Sequence, residues 1–246
     1  YRDITLLGQN VNSYGRDLES NISFAELLRQ INDIPGDFRI RFMTSHPKDA
    51  SEELFRTMAE CSKVSKHIHL PFQAGNNRVL KAMNRGYTAE EYLEKAELAR
   101  RYMPDLVMTS DVIVGFPGET SEEFEDTLRL VEKVRFDALF TFIYSRRPGT
   151  PAAEMPDPAS REEKQRNFER LVSLQNKISA EKHAAYTGRT LRVLIDSMGE
   201  ESPCGRTDGG RLVRVEGDVS PGDFADVEIT GSNTWALYGK VISDKK

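Results

Sequence analysis

The chain has 246 residues, 38% hydrophobic and 30% charged, with a net charge of −5 and an isoelectric point of about 5.6. That is the balance of an ordinary globular protein with room for one large domain or two smaller ones. It excludes recognition of a polyanion through overall charge, so any nucleic-acid contact must come from a local patch.

No apolar run reaches the roughly 18 residues of a membrane span and no charged-then-apolar leader is present, so a cytoplasmic location and no membrane partner are expected. The two cysteines, Cys61 and Cys204, lie far apart without CxxC spacing and are expected to be reduced thiols. Residue 1 is tyrosine and a strand pattern is already running by residue 3; the chain is expected to be a piece of a longer one.

In chain order, short runs rich in β-branched and aromatic residues predict strands at 3–9 (DITLLGQ), 39–45 (RIRFMTS), 67–73 (HIHLPFQ), 107–116 (VMTSDVIVGF) and 138–145 (ALFTFIYS). Helices fill the gaps. Five of their starts pair an oxygen-bearing residue with a glutamate three positions on: Ser23 and Glu26, Asp49 and Glu52, Thr88 and Glu91, Thr120 and Glu123, Ser160 and Glu163.

Alternating strand and helix implies parallel strands with right-handed crossovers, an α/β fold that leans toward a barrel. Chemistry then belongs at the C-terminal strand ends. A proline-rich connection (146–160) leads into a long helix from about Ser160 to Tyr186. From Gly188 only strands and turns follow, which predicts a small all-β barrel. The division is expected as 1–187 and 188–246.

Three features suggest chemistry. His67 and His69 alternate onto one strand face, where with Asp111 they could chelate a metal or simply bond to each other's neighbours as polar lining. In DVIVGFPGET (111–120), Gly115 and Gly118 would let backbone amides approach a ligand at a helix start, or serve a tight turn only. Gln9, Asn10, Ser45, Gln73 and Asp111 sit at strand ends and offer amide, hydroxyl and carboxylate groups suited to an amino acid or nucleoside.

LLGQNVNSYG (6–15), RFMTSHPKD (41–49), HLPFQAGNNRVLKAMNRGYT (69–88), DVIVGFPGET (111–120) and YSRRPGTPAA (144–153) resemble the radical S-adenosylmethionine methylthiotransferases, in particular their MiaB-type tRNA branch. The resemblance implies a radical S-adenosylmethionine partial (β/α) barrel followed by an RNA-binding TRAM domain, an OB-like barrel with the loop GRTDGGRLV (205–213). It implies methylthiolation of N6-isopentenyladenosine beside the anticodon, with threonylcarbamoyl-adenosine or a ribosomal protein as alternative substrates.

The implied cofactors are S-adenosylmethionine and two 4Fe-4S clusters whose cysteine motifs this sequence lacks, so the chain alone is expected to be inactive. Implied partners are the tRNA anticodon stem-loop and an electron donor such as flavodoxin or ferredoxin, for a monomeric parent. By the same resemblance Ile113, Val114 and Gly115 lie along the adenine, Gln9 and Asn10 approach the methionine end, and Ser45, Gln73 and Asp111 line the ribose or substrate side. Tyr144 and Ser145 close the adenine pocket.

For RNA the candidates are Arg189, Arg206, Arg211 and Lys240, scattered through an otherwise acidic module, so that folding must build any basic face. Trp235 and Tyr238 could stack on bases, although on strands they are expected in the core. Two other classes stay open: a metal-dependent hydrolase or aldolase using His67, His69 and Asp111, and an RNA-binding module on a non-catalytic barrel.

Overall fold

The computed structural model describes residues 1–15, 22–43, 46–200 and 202–242. The five strands of the first part are β1 (Asp3–Leu6), β2 (Arg39–Phe42), β3 (His67–His69), β4 (Val107–Val114) and β5 (Ala138–Ile143). Every pairing among them is parallel. β1 pairs with β2, and β3, β4 and β5 form a second ladder.

The join is a bridge between Ile40 and Val64. Ile40 N–H donates to the Lys63 carbonyl at 2.8 Å and Ser65 N–H to that of Ile40 at 2.9 Å. One segment therefore pairs with β2 through residues 63–65 and with β4 through residues 67–69. The result is an open crescent with β1 and β5 as its edges.

Strands end earlier than the residue pattern predicts, and at β3 the cause is visible. Pro71 cannot donate to a ladder, so the chain swings away from β4 after His69. The buried Ser110 hydroxyl fills the gap, accepting from Phe72 N–H at 2.9 Å and donating to the Leu70 carbonyl at 2.8 Å. Pairing returns for one residue, Gln73 beside Val112.

The helices α1 (Phe24–Asp33), α2 (Glu52–Glu60), α3 (Asn77–Ala82), α4 (Ala89–Tyr102), α5 (Ser121–Val134) and α6 (Arg161–Ala184) complete the first part. Ser23, Thr88, Thr120 and Ser160 cap α1, α4, α5 and α6, and Thr88 and Thr120 close full reciprocal boxes with Glu91 and Glu123. The expected Asp49–Glu52 pair does not cap α2. Ser51 does, accepting from Leu54 N–H, because residues 47–49 form a separate 3-10 turn.

One strand face packs on helices through Ile40, Phe42, Ile68, Val112 and Val114, against Leu28, Phe55, Phe124 and Val131, all buried. Each such side chain contributes about 1.5–3 kcal/mol on leaving water. The other face of β3–β5 carries His67, His69, Thr109, Asp111, Phe140 and Phe142, and the two phenylalanines are each 54% exposed.

The second part is a closed barrel of β6 (Thr190–Met198), β7 (Pro203–Thr207), β8 (Leu212–Glu216), β9 (Phe224–Ser232) and β10 (Leu237–Val241), in the order β10-β8-β7-β6-β9. Val193, Ile195, Val213, Val215, Val227, Ile229 and Leu237 fill it. It docks under the crescent at the N-terminal strand ends.

The loop expected to meet RNA is the docking element. Asp208 accepts from Lys66 N–H at 3.1 Å, and a side chain on Gly209 would stand 2.3 Å from Val107. Arg211 is buried against Asp137, which Lys182 also pairs at 2.9 Å. Arg192 reaches Asp37 at 2.6 Å.

Candidate functional site

At the opposite, C-terminal ends of β4 and β5 lies a cleft of about 770 Å³. Gln73, Asp111, Ile113, Phe142, Tyr144 and Ser145 border it, with Met83, Asn84 and Arg85 from the α3 end and Arg147 to Ala152 from the following loop. Its lining mixes apolar side chains with amide, hydroxyl and charged groups, and the volume suits a nucleoside-sized ligand.

Gln73 holds φ at +69°, a left-handed conformation uncommon outside glycine and concentrated at functional sites. Two buried polar atoms at the cleft lack a partner, the Tyr144 hydroxyl and Arg85 Nε. Buried polar groups are nearly always bonded, which sets these two atoms apart from the rest of the lining.

Asp111 is approached from below by a polar file along β3 and β4. Its Oδ2 lies 3.4 Å from His69 Nε2. The Thr109 hydroxyl sits 3.0 Å from His69 Nδ1 and 3.1 Å from His67 Nε2. One hydroxyl can donate to one ring and accept from the other, so Thr109 sets both tautomers. Burial, aided by the Arg41 guanidinium, pushes His67 down to about 4, so it is neutral at physiological pH.

The two imidazoles thus bind a threonine. Among the described residues no group of three or more His, Cys, Asp or Glu side chains is placed to hold a metal ion. His67, His69 and Asp111 therefore do not form such a group. Cys61 caps the C-terminus of α2 within the core and Cys204 lies on β7; neither borders the cleft, and a four-iron cluster finds no ligand set among the described residues.

The glycine-rich turn is packed by side chains of the chain itself. Gly115 has φ +70°, and a Cβ there would stand 2.6 Å from the Lys164 side chain rather than in the cleft. Its N–H donates to Glu119 at 2.7 Å, and burial pushes that carboxyl up to about 7. Lys164 is held by Asp157 at 2.6 Å. The turn is a packed joint between β4 and α6.

Val114 points its side chain into the core. Gln9 is exposed beyond β1 and Asn10 bonds to Asp49; neither borders the cleft. Ser45 lies outside the described residues. Phe142, Arg85 and Asn84 were missed at the sequence level; alternation along β5 was the available signal for Phe142.

Of the proposed RNA contacts, Arg189, Arg206 and Lys240 are exposed and pair with Asp105, Asp196 and Glu216. Arg211 is buried with Asp137 and presents nothing to solvent. Trp235, expected in a core, is 71% exposed.

A parallel crescent with a nucleoside-sized cleft at its C-terminal strand ends, joined to a five-stranded barrel, defines the class. The chain matches the radical SAM superfamily over residues 2–131 and the TRAM domain over residues 184–242, and it belongs to that superfamily.

Among its relatives, the tRNA-2-methylthio-N(6)-dimethylallyladenosine synthase of Acetivibrio thermocellus is 49% identical over 98% of this chain and 51% of its own length. Its namesake from a Thermoanaerobacter species is 52% identical over 98% and 52%. The chain thus spans about half the length of these curated relatives. Coproporphyrinogen III oxidase (HemN) from Escherichia coli, described as a radical SAM enzyme, matches the fold with a TM-score of 0.52 at 16% identity, over 91% of this chain and 56% of its own.

Proposed function

We propose that this chain forms the cofactor-cradling and RNA-docking parts of an enzyme that methylthiolates N6-dimethylallyladenosine in tRNA. The observation that carries the reading is the cleft, with Asp111 at its rim and the unpartnered Tyr144 hydroxyl and Arg85 Nε, in a chain about half identical to synthases of that name. Residues 1–187 and 188–246 are its two working parts, acting in the cytoplasm within a monomeric protein that draws electrons from a flavodoxin or ferredoxin.

S-adenosylmethionine supplies an adenosyl group for radical hydrogen abstraction in this superfamily. This chain's residues bind and orient it. Ile113 and Phe142 cover the flat faces of the adenine, Gln73 and Asp111 face the ribose, and Tyr144 and Ser145 close the far side. The file from His67 through Thr109 and His69 holds Asp111 in place. Gln9 and Asn10, which follow β1 on the other side of the crescent mouth, approach the methionine end, and Ser45 is assigned to the ribose or substrate side.

On the barrel, Arg189, Arg206 and Lys240 meet the anticodon stem-loop. Their exposed pairs are worth about 0–1 kcal/mol each, so exchange of a carboxylate for a phosphate costs little.

The test is made in cells. With Asp111→Ala placed in the chromosomal gene, nucleosides from total tRNA should lose most of the 2-methylthio derivative and accumulate N6-dimethylallyladenosine, read by mass spectrometry. Unchanged methylthio content would refute the reading.

A further inference from the structure

Under the crescent, on its open face, the two parts enclose a basin of about 260 Å³ bordered by Arg41, His67, Arg206, Arg211 and Trp235. Trp235 is the only tryptophan of the chain and is 71% exposed, which places a large apolar face in solvent at the edge of the basin.

Its backbone is fixed. Asn233 Oδ1 accepts from the N–H groups of Trp235 and Ala236, both at 2.8 Å, and Asn233 Nδ2 donates to the Tyr238 hydroxyl at 2.8 Å. The carbonyl of Asn233 lies 2.9 Å from Nδ1 of His183 on α6. The β9–β10 turn is thereby pinned to the first part, and the indole is held out from a rigid base.

The surroundings select the partner. Arg41 and the exposed Arg206 border the basin, beside Arg211, whose charge Asp137 takes up. Above the basin, Phe140 and Phe142 present exposed rings on β5, about 7 Å apart by strand geometry, and Phe142 ends at the cofactor cleft. Cations beside successive exposed aromatic rings are how proteins hold single-stranded nucleic acid, because every base has a face to stack and every link a phosphate.

We propose that Trp235 is a stacking platform for an unpaired base of the RNA loop, the entrance of an aromatic track that runs over Phe140 and Phe142 to the cleft, with the flanking phosphate on Arg206. This rests on the RNA reading above and assigns it a residue.

Because Trp235 is the sole tryptophan, its emission reports the contact directly. Titration of the 246-residue chain with a fluorescein-free anticodon stem-loop RNA should quench that emission strongly, whereas heparin, a polyanion without bases, should not. Anisotropy of the labelled stem-loop should show Trp235→Ala weakening binding roughly tenfold and Trp235→Phe by much less.

Binding of the stem-loop without quenching, or equal affinity for Trp235→Ala, overturns the platform and leaves the RNA reading standing. No binding of the stem-loop even at low salt overturns both.

Discussion

Asp137→Asn is expected to lower the melting temperature by roughly 10 °C, as two cations lose their common counter-charge and the removal of one partner from a buried pair costs about 3–5 kcal/mol. Asp137 is 5% exposed. It accepts from Met108 N–H at 2.7 Å, holds Lys182 at 2.9 Å and receives Arg211 from the barrel.

Asparagine can keep the backbone bond but not the charge, and Arg211 and Lys182 would then repel each other where water is scarce. Burial already pushes the Lys182 ammonium down. Pairing Asp137→Asn with Arg211→Met should recover part of the loss, because the uncompensated guanidinium goes too; scanning calorimetry on the four proteins closes the cycle. A shift under about 2 °C for Asp137→Asn would mean that the two parts are held elsewhere.

Gly75→Ala is expected to cost about 3 kcal/mol, the upper end of ordinary overpacking, for a purely steric reason. A Cβ on Gly75 would stand 2.5 Å from Thr127 Cα and 2.6 Å from the Asp126 carbonyl oxygen. These are backbone atoms of α5, so no rotamer change relieves the clash. The loop must retreat, and with it the bond from Gly75 N–H to the Thr127 hydroxyl at 2.9 Å.

Displacement of this loop also moves Gln73, two residues earlier. Gly86→Ala is the control, as nothing lies within 4 Å of its new methyl. Equal denaturant midpoints for Gly75→Ala and Gly86→Ala would contradict the packing described.

These two positions show where the sequence stops being readable. Strand and helix alternation, the caps at Ser23, Thr88, Thr120 and Ser160, and the change to short strands after Gly188 are local signals, set by neighbours within a few residues. Asp137 finds Arg211 across 74 positions, and no local pattern distinguishes that arginine from the exposed Arg206.

Nothing local marks Gly75 as the glycine that a helix backbone approaches. Gly115 likewise yields to Lys164. Trp235 was open to two readings, a base-stacking ring or a core residue on a strand; it lies in a turn before β10, fixed by Asn233, which leaves it exposed. At the cleft, Gln73 and Asp111 were legible as strand-end residues and Ile113, Tyr144 and Ser145 only through the family resemblance; Arg85 and Asn84 come from the end of a helix and are brought there only by the fold.

The central claim, that the cleft above β4 and β5 receives the adenosyl group, is tested most directly by methyl resonances of isoleucine-labelled protein titrated with S-adenosylhomocysteine. Ile113 borders the cleft, whereas Ile195 and Ile229 lie in the barrel core. The Ile113 methyl should shift and saturate while Ile195 and Ile229 stay in place, and Asp111→Ala should weaken the response. An Ile113 resonance unmoved at millimolar ligand would contradict the account.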